Sequence, residues 1–119
     1  MKKILIILSI FVITACPSAP FKELKDDKHN KCEFRINQNY QQVYRDIINS
    51  NIFPSVGVIA NLYTDIQQGQ ILIRQEINPD NCHVLTEVTA TSNEETLISI
   101  RYVDMYGYYC EDIRELFGL

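Results

Sequence analysis

The chain has 119 residues, 46% of them hydrophobic, with eleven Lys and Arg against fifteen Asp and Glu, and four cysteines. A formal net charge of −4 lacks the basic excess that phosphate backbones select, which excludes nucleic acid as a partner class. Once the N-terminal segment described next is set aside, about 100 residues remain, enough for one domain with one modest core.

Lys2 and Lys3 precede an apolar run from Ile4 to Ile13 that only Ser9 interrupts, and small Thr14 and Ala15 follow it. The run is shorter than the ~20 residues a membrane-spanning helix needs. Its order of positive, apolar and small residues is that of a cleavable export signal. The end of the run, Ile13-Thr14-Ala15-Cys16, resembles the bacterial lipobox of one aliphatic residue, two small residues and a cysteine. That resemblance implies that residues 1–15 are a lipoprotein signal peptide, that the Cys16 thiol receives diacylglycerol, and that its new amino group is acylated. Two or three acyl chains, at about 0.8 kcal/mol per buried CH₂, exceed what stable anchoring requires, so the membrane is an expected partner through Cys16. Pro17 stands where the enterobacterial sorting rule places an inner-membrane retention aspartate. In a cell with two membranes this implies the outer membrane, with the domain facing the periplasm. Loss of Lys2 and Lys3 leaves nine basic and fifteen acidic side chains, a charge near −6, so lipid rather than charge is expected to hold the protein at an anionic surface.

Residues 16–31 then read as the lipidated cysteine and a flexible tether: "PSAPFKELKDDKHNK" has two prolines, mixed charges and no sustained periodicity. Fully extended at ~3.3 Å per residue, it reaches about 50 Å from the bilayer. Asp26, Asp27 and His29 are conceivable metal ligands, but a solvated charge run explains them more simply.

Regular patterning starts at Cys32, and residues 32–119 are expected to form a single domain. "CEFRIN" alternates, with Cys32, Phe34 and Ile36 on one face, which predicts a half-buried strand. Asn37 or Asn39 is placed to cap a helix whose Tyr40, Val43, Tyr44, Ile47 and Ile48 form one stripe ending before Pro54. "VGVIANLY" and "ILIRQEI" predict a hairpin in which Gly69 takes a positive φ in the turn. "HVLTEVTA" and "TLISIRYV" predict another around "TSNEE", and "YGYYCEDIRELF" closes the chain with Tyr106, Tyr109, Ile113, Leu116 and Phe117 at helical spacing. The order β-α-β-β-β-β-α predicts an α+β two-layer domain, an antiparallel sheet of about five strands with both helices on one face. It resembles a reduced helix-grip fold. Together with the lipobox, "YQQVYRDI" followed by "ANLYTDIQQGQILI" is similar to small proteobacterial lipoproteins of unknown function, a resemblance that carries no catalytic residues. Paired helix-grip domains also occur in the C lipoprotein of the outer-membrane barrel-assembly machine, an analogy of fold alone.

With Cys16 lipidated, Cys32, Cys82 and Cys110 remain in an exported chain, where disulfides form and help a small core. On the expected strands Cys32 shares the inward face with Phe34 and Ile36, and Cys82 shares it with Val84, Thr86 and Val88. If the first strand pairs with the last, both cysteines approach the start of the final helix. Cys110 is then the common partner, of Cys82 or of Cys32; a Cys32 to Cys82 bond, or reduced burial of all three, stays open. A metal site of three cysteines and His83 lacks any paired C-x-x-C spacing, so no metal and no cofactor is expected. No catalytic residue stands out either. The chain has neither G-x-S-x-G nor H-E-x-x-H. Asp104 with Glu111 or Asp112 would make a carboxylate pair, yet acids at a helix N-terminus are accounted for by its dipole. Tyr102, Tyr106, Tyr108 and Tyr109 suit core packing better than a ligand pocket.

Alternation places Ile59, Tyr63, Leu72, Leu85, Leu97 and Val103 on the face turned away from the helices, interspersed with Arg74, Glu76, Glu87 and Arg101. Such a strip suggests docking onto another envelope protein or a second copy of the chain. Scattered surface apolars, a one-residue register shift, or a linker folded back over the strip would also account for it. In the docking case, charges at Leu72 and Leu85 would leave the fold intact. The functional classes that follow are a non-catalytic scaffold or assembly accessory of the envelope; alternatively a binding module, such as an inhibitor, immunity factor or lipid or glycan binder, with a helix–sheet cavity lined by Phe34, Val58, Ile73, Ile100 and Tyr102; and, last, an enzyme.

Overall fold

The structure, a computed structural model, describes residues 19–24, 30–75 and 81–119. Residues 1–15, where a signal peptide is expected, and Cys16, Asp26, Asp27, His29 and Glu76 lie outside the described residues. The elements are β1 (Ala19–Pro20), α1 (Phe21–Leu24), β2 (Asn30–Ile36), α2 (Tyr40–Asn49), β3 (Val58–Tyr63), β4 (Gln68–Arg74), β5 (Asn81–Ala90), β6 (Thr96–Tyr102) and α3 (Tyr108–Leu116). The fold is α+β, an open antiparallel sheet in the order β2-β6-β5-β4-β3.

Each element follows from its residues. Asn39 caps α2: its backbone is extended, and its Oδ1 accepts from the Gln41 amide at 2.9 Å. The stripe behind it buries Tyr40, Val43 and Ile47. These side chains meet Ile71, Ile73, Val84, Val88, Ile98 and Ile100 from the strands and Tyr109, Cys110 and Ile113 from α3, forming one main core. Both longer helices therefore lie on one face. α3 starts at Gly107, which offers no capping side chain, and carries Glu111 in its first turn, where an acid complements the helix dipole.

Gly69 does not make the β3–β4 turn. Among the described non-glycine residues Gln67 takes the left-handed conformation there, with φ 52°, while Gly69 sits inside β4 opposite Leu62 and Val88. A Cβ on Gly69 would lie 2.3 Å from the Tyr44 ring. The glycine thus exists for close approach, letting α2 lay an aromatic ring on the sheet. Gly69→Ala should cost about 1–3 kcal/mol in denaturant unfolding, the usual range for overpacking, even though alanine is otherwise the less flexible residue. Tyr44→Leu should recover part of that loss, and no recovery would place the strain elsewhere.

β5 carries one extra residue relative to β4: Ile73 opposes Val84, but Arg74 opposes Cys82, leaving His83 in a bulge. Cys82 is therefore turned to the outer face, with Leu72 and Leu85, and not inward with Val84 as simple alternation predicts. The tether expected over residues 16–31 is also corrected in part. Ala19 pairs with Cys82 and Pro20 with Asn81. β4 holds the other edge of β5 at that point, through Arg74 opposite Cys82 and the Gln75 amide on the Asn81 carbonyl. β1 therefore takes the edge of β5 left open where β6 ends at Tyr102. Ala19 and Leu24 are buried with Cys82, Leu85 and Val103 in a second, smaller core on the outer face.

Candidate functional site

Among the cysteines, Cys32 and Cys110 form the disulfide. Cys82, the other expected partner of Cys110, is a buried free thiol across the sheet. Burial pushes its pKa up, with Arg74 pulling the other way, so the thiol is a packing group rather than a nucleophile.

The outer face bears Ile59, Tyr63, Leu72, Leu85, Leu97 and Val103, but they are not one strip. Register sets three rows across the sheet: Ile59, Leu72, Leu85 and Arg101; then Asn61, Gln70, Glu87, Ser99 and Glu33; then Tyr63, Gln68, Thr89, Leu97 and Arg35. The middle row is polar and separates the apolar residues of the other two. It is held by an Arg101–Glu87 ion pair and by Gln68, whose Nε2 donates to Thr89 at 2.9 Å while its Oε1 accepts from Gln70 at 2.8 Å. Leu85 and Val103 are buried under Ala19 and Leu24, so this part of the strip is already covered by the chain itself.

The two lateral edges of the sheet differ. β2 alternates Lys31, Glu33 and Arg35 outward, with Lys31 3.5 Å from Glu33 and Arg35 2.9 Å from Glu95, which itself accepts from Thr91 at 2.8 Å. The Thr91 bond and then the Arg35 bond hold the Glu95 carboxyl below its ordinary value. Charges along an edge strand discourage pairing with another chain. β3, "VIANLY", has none, and all of its residues but Val58 are exposed. Its flanks are apolar on both faces. Ile59 and Tyr63 lie exposed on the outer side, and on the helix side Leu62 lines an open groove of ≈ 380 Å³ with Gln41, Tyr44, Arg45 and Ile48. Sequence shows the uncharged run, but which strand becomes an edge depends on strand order, which no local pattern encodes.

Other candidates resolve into structural roles. The residues expected to line a helix–sheet cavity are core: Ile73 and Ile100 are buried in the main core, and Phe34, Val58 and Tyr102 pack, partly buried, against that core. An open polar cleft of ≈ 480 Å³ lies between Asn37–Asn39 and Ser92–Glu95, where Asn39 donates to the Asn93 carbonyl at 3.2 Å. Asp104 accepts from Asn30 at 3.0 Å, and Glu111 lies 4.0 Å from Arg114, one turn along α3. The aromatic residues stack in series: Phe53 on Tyr109 at 5.4 Å, Tyr109 on Tyr108 at 4.4 Å, Tyr108 near Tyr106 at 6.3 Å, and Tyr106 on His83 at 4.4 Å. Burial, then the hydrogen bond with Tyr108, raises the Tyr109 pKa well above that of an ordinary phenol and keeps it neutral. Among the described residues no group of His, Cys, Asp and Glu is placed to hold a metal ion. No protein-family model matches the chain, and no curated protein aligns with it significantly.

Proposed function

We propose that the chain is a lipid-anchored, non-catalytic docking domain of the bacterial envelope, a scaffold or assembly accessory held at the outer membrane through Cys16, and that it receives an envelope protein along β3. The β3 edge carries this conclusion. It is uncharged and apolar on both flanks, whereas β2 across the sheet is blocked by charge. An incoming strand would gain main-chain hydrogen bonds from β3 and side-chain pockets at Ile59 and Leu62, the β-augmentation mode of recognition. The lipobox resemblance supplies the address, and the disulfide gives the rigidity that a docking edge needs.

A photo-cross-linking residue at Asn61, on the exposed face of β3, should yield a discrete adduct in native envelopes, and the same probe at Glu33 on β2 should not. The adduct mass separates a partner protein from a second copy. Leu62→Lys should remove the adduct while moving the melting midpoint by no more than about 4 °C, the scale of a surface substitution in a domain of this size. Equal adducts from both edges, or none from Asn61, would refute docking at β3.

A further inference from the structure

Three observations converge on the end of the sheet where β5 begins. The first is chain length. Ala19 is fixed opposite Cys82, only three residues after Cys16. Three residues span at most about 11 Å, so lipid on Cys16 would hold this end of the sheet against the bilayer. The 50 Å reach of a free tether does not apply.

The second is what this end displays. Val103, whose amide donates to the His83 carbonyl at 3.1 Å, packs with Ala19 and Cys82, and Tyr106 packs beside them. Between them the turn projects Met105, 75% exposed. Tyr108 follows at 52%, stacked against Tyr109. Val56, 65% exposed, precedes Gly57, whose carbonyl accepts from the Arg74 amide at 2.7 Å, next to Cys82. Tyr108 belongs to the aromatic series that links Phe53 to His83. Exposed apolar side chains beside an exposed tyrosine match the composition of the membrane–water interface, where an amphipathic ring is favoured.

The third is backbone strain. Met105 has φ 81°, a left-handed conformation that glycine or asparagine adopts freely and a long side chain does not. A strained turn that presents an exposed hydrophobe has a cost in isolation, and a site that uses the side chain offsets it.

We infer that this end of the domain seats directly in the lipid surface, with Met105, Tyr108 and Val56 entering the boundary between headgroups and acyl chains beside the lipid on Cys16. The inference rests on the lipid anchor proposed above. Asp104 sits at the same turn, hydrogen-bonded to Asn30; apolar burial and the acyl chains are what hold the contact. Seating of this end directs the strands away from the bilayer and presents the β3 edge sideways, to neighbours in the same membrane.

The chain has no tryptophan, so a single introduced one reports depth. Full-length Met105→Trp protein, purified with its lipid and reconstituted in phosphatidylethanolamine and phosphatidylglycerol vesicles, should lose most of its emission to lipids brominated near the headgroup. Ile66→Trp, at the opposite end in the β3–β4 turn, should lose little. Flotation with the vesicles and the mass of the Cys16 peptide are read on the same samples. Lipidated, floating protein whose residue 105 reporter is quenched no more than the residue 66 reporter would overturn the seating and leave the anchor standing. A Cys16 peptide without lipid would overturn both.

Discussion

Replacing Cys32 and Cys110 by serine is expected to lower the unfolding free energy by about 3 kcal/mol, near the middle of the range for a native disulfide. The bond joins residues separated by 78 positions. For a loop of that length the chain-entropy model sets the effect at about 4.5 kcal/mol, an upper value because real unfolded chains keep some residual structure. Its placement explains why the loss should be large in this fold. Among the described residues β2 is an edge strand paired with β6 alone, and α3 is the last element; both are peripheral, and the Cys32–Cys110 bond ties one to the other across the core. Without it, β2 keeps its ladder to β6 and α3 keeps Tyr109 and Ile113, but each can fray independently. Equilibrium unfolding should show the midpoint falling by at least about 10 °C, since 1 kcal/mol moves it about 4–8 °C in a domain of this size. The same drop should follow reduction of the wild-type protein. A loss below about 1 kcal/mol would mean that β2 and α3 are held by packing alone.

Much of the fold was legible because strand alternation has a period of two and survives any error in strand order. The faces of β3, β4, β6 and most of β5 follow from it, and so does the stripe of α2. Alternation misplaces Cys82 because one residue inserted into β5 reverses the face of everything before it, and Asn81-Cys82-His83 holds no pair of apolar residues that would mark the slip. Gly69 resembles a turn residue in sequence because a glycine beside polar residues is the usual turn signal. Its real constraint, the Tyr44 ring, comes from an element some twenty-five positions away in sequence. Ala19–Leu24 escaped for a similar reason. A segment of six residues is too short to show periodicity, and its partners Cys82, Leu85 and Val103 lie far along the chain. The signal that was present is Ala19, Phe21 and Leu24, three apolar residues in a stretch otherwise suited to solvent. The β3 edge was visible as an uncharged run but acquires meaning only from the strand order.

That second core sets apart two substitutions which alternation alone would equate. Leu85→Asp should cost more than about 4 kcal/mol and leave little cooperative unfolding, because Leu85 is fully buried in the central strand and an introduced carboxylate would lose its hydration there. Its register neighbour Arg101 is engaged by Glu87. The expectation that a charge at Leu85 is tolerated is thereby reversed, although the side chain does point away from α2 and α3. Leu24→Asp should behave differently. Leu24 is equally buried, but it belongs to a four-residue helix and a two-residue strand that can lift off together. The loss is then limited to the free energy with which Ala19–Leu24 docks, about 2–3 kcal/mol for one buried leucine and its neighbours. The sheet should stay folded beneath it. Cys82 provides the readout: as a buried thiol with a raised pKa it should resist alkylation in the wild-type chain and react once the segment detaches. With each 1.4 kcal/mol of opening worth a factor of ten, Leu24→Asp should accelerate Cys82 labelling about a hundredfold while far-ultraviolet circular dichroism stays unchanged. Unchanged labelling in a folded Leu24→Asp protein would show that Ala19–Leu24 does not cover the sheet, and the short reach from Cys16 to the domain would be lost with it.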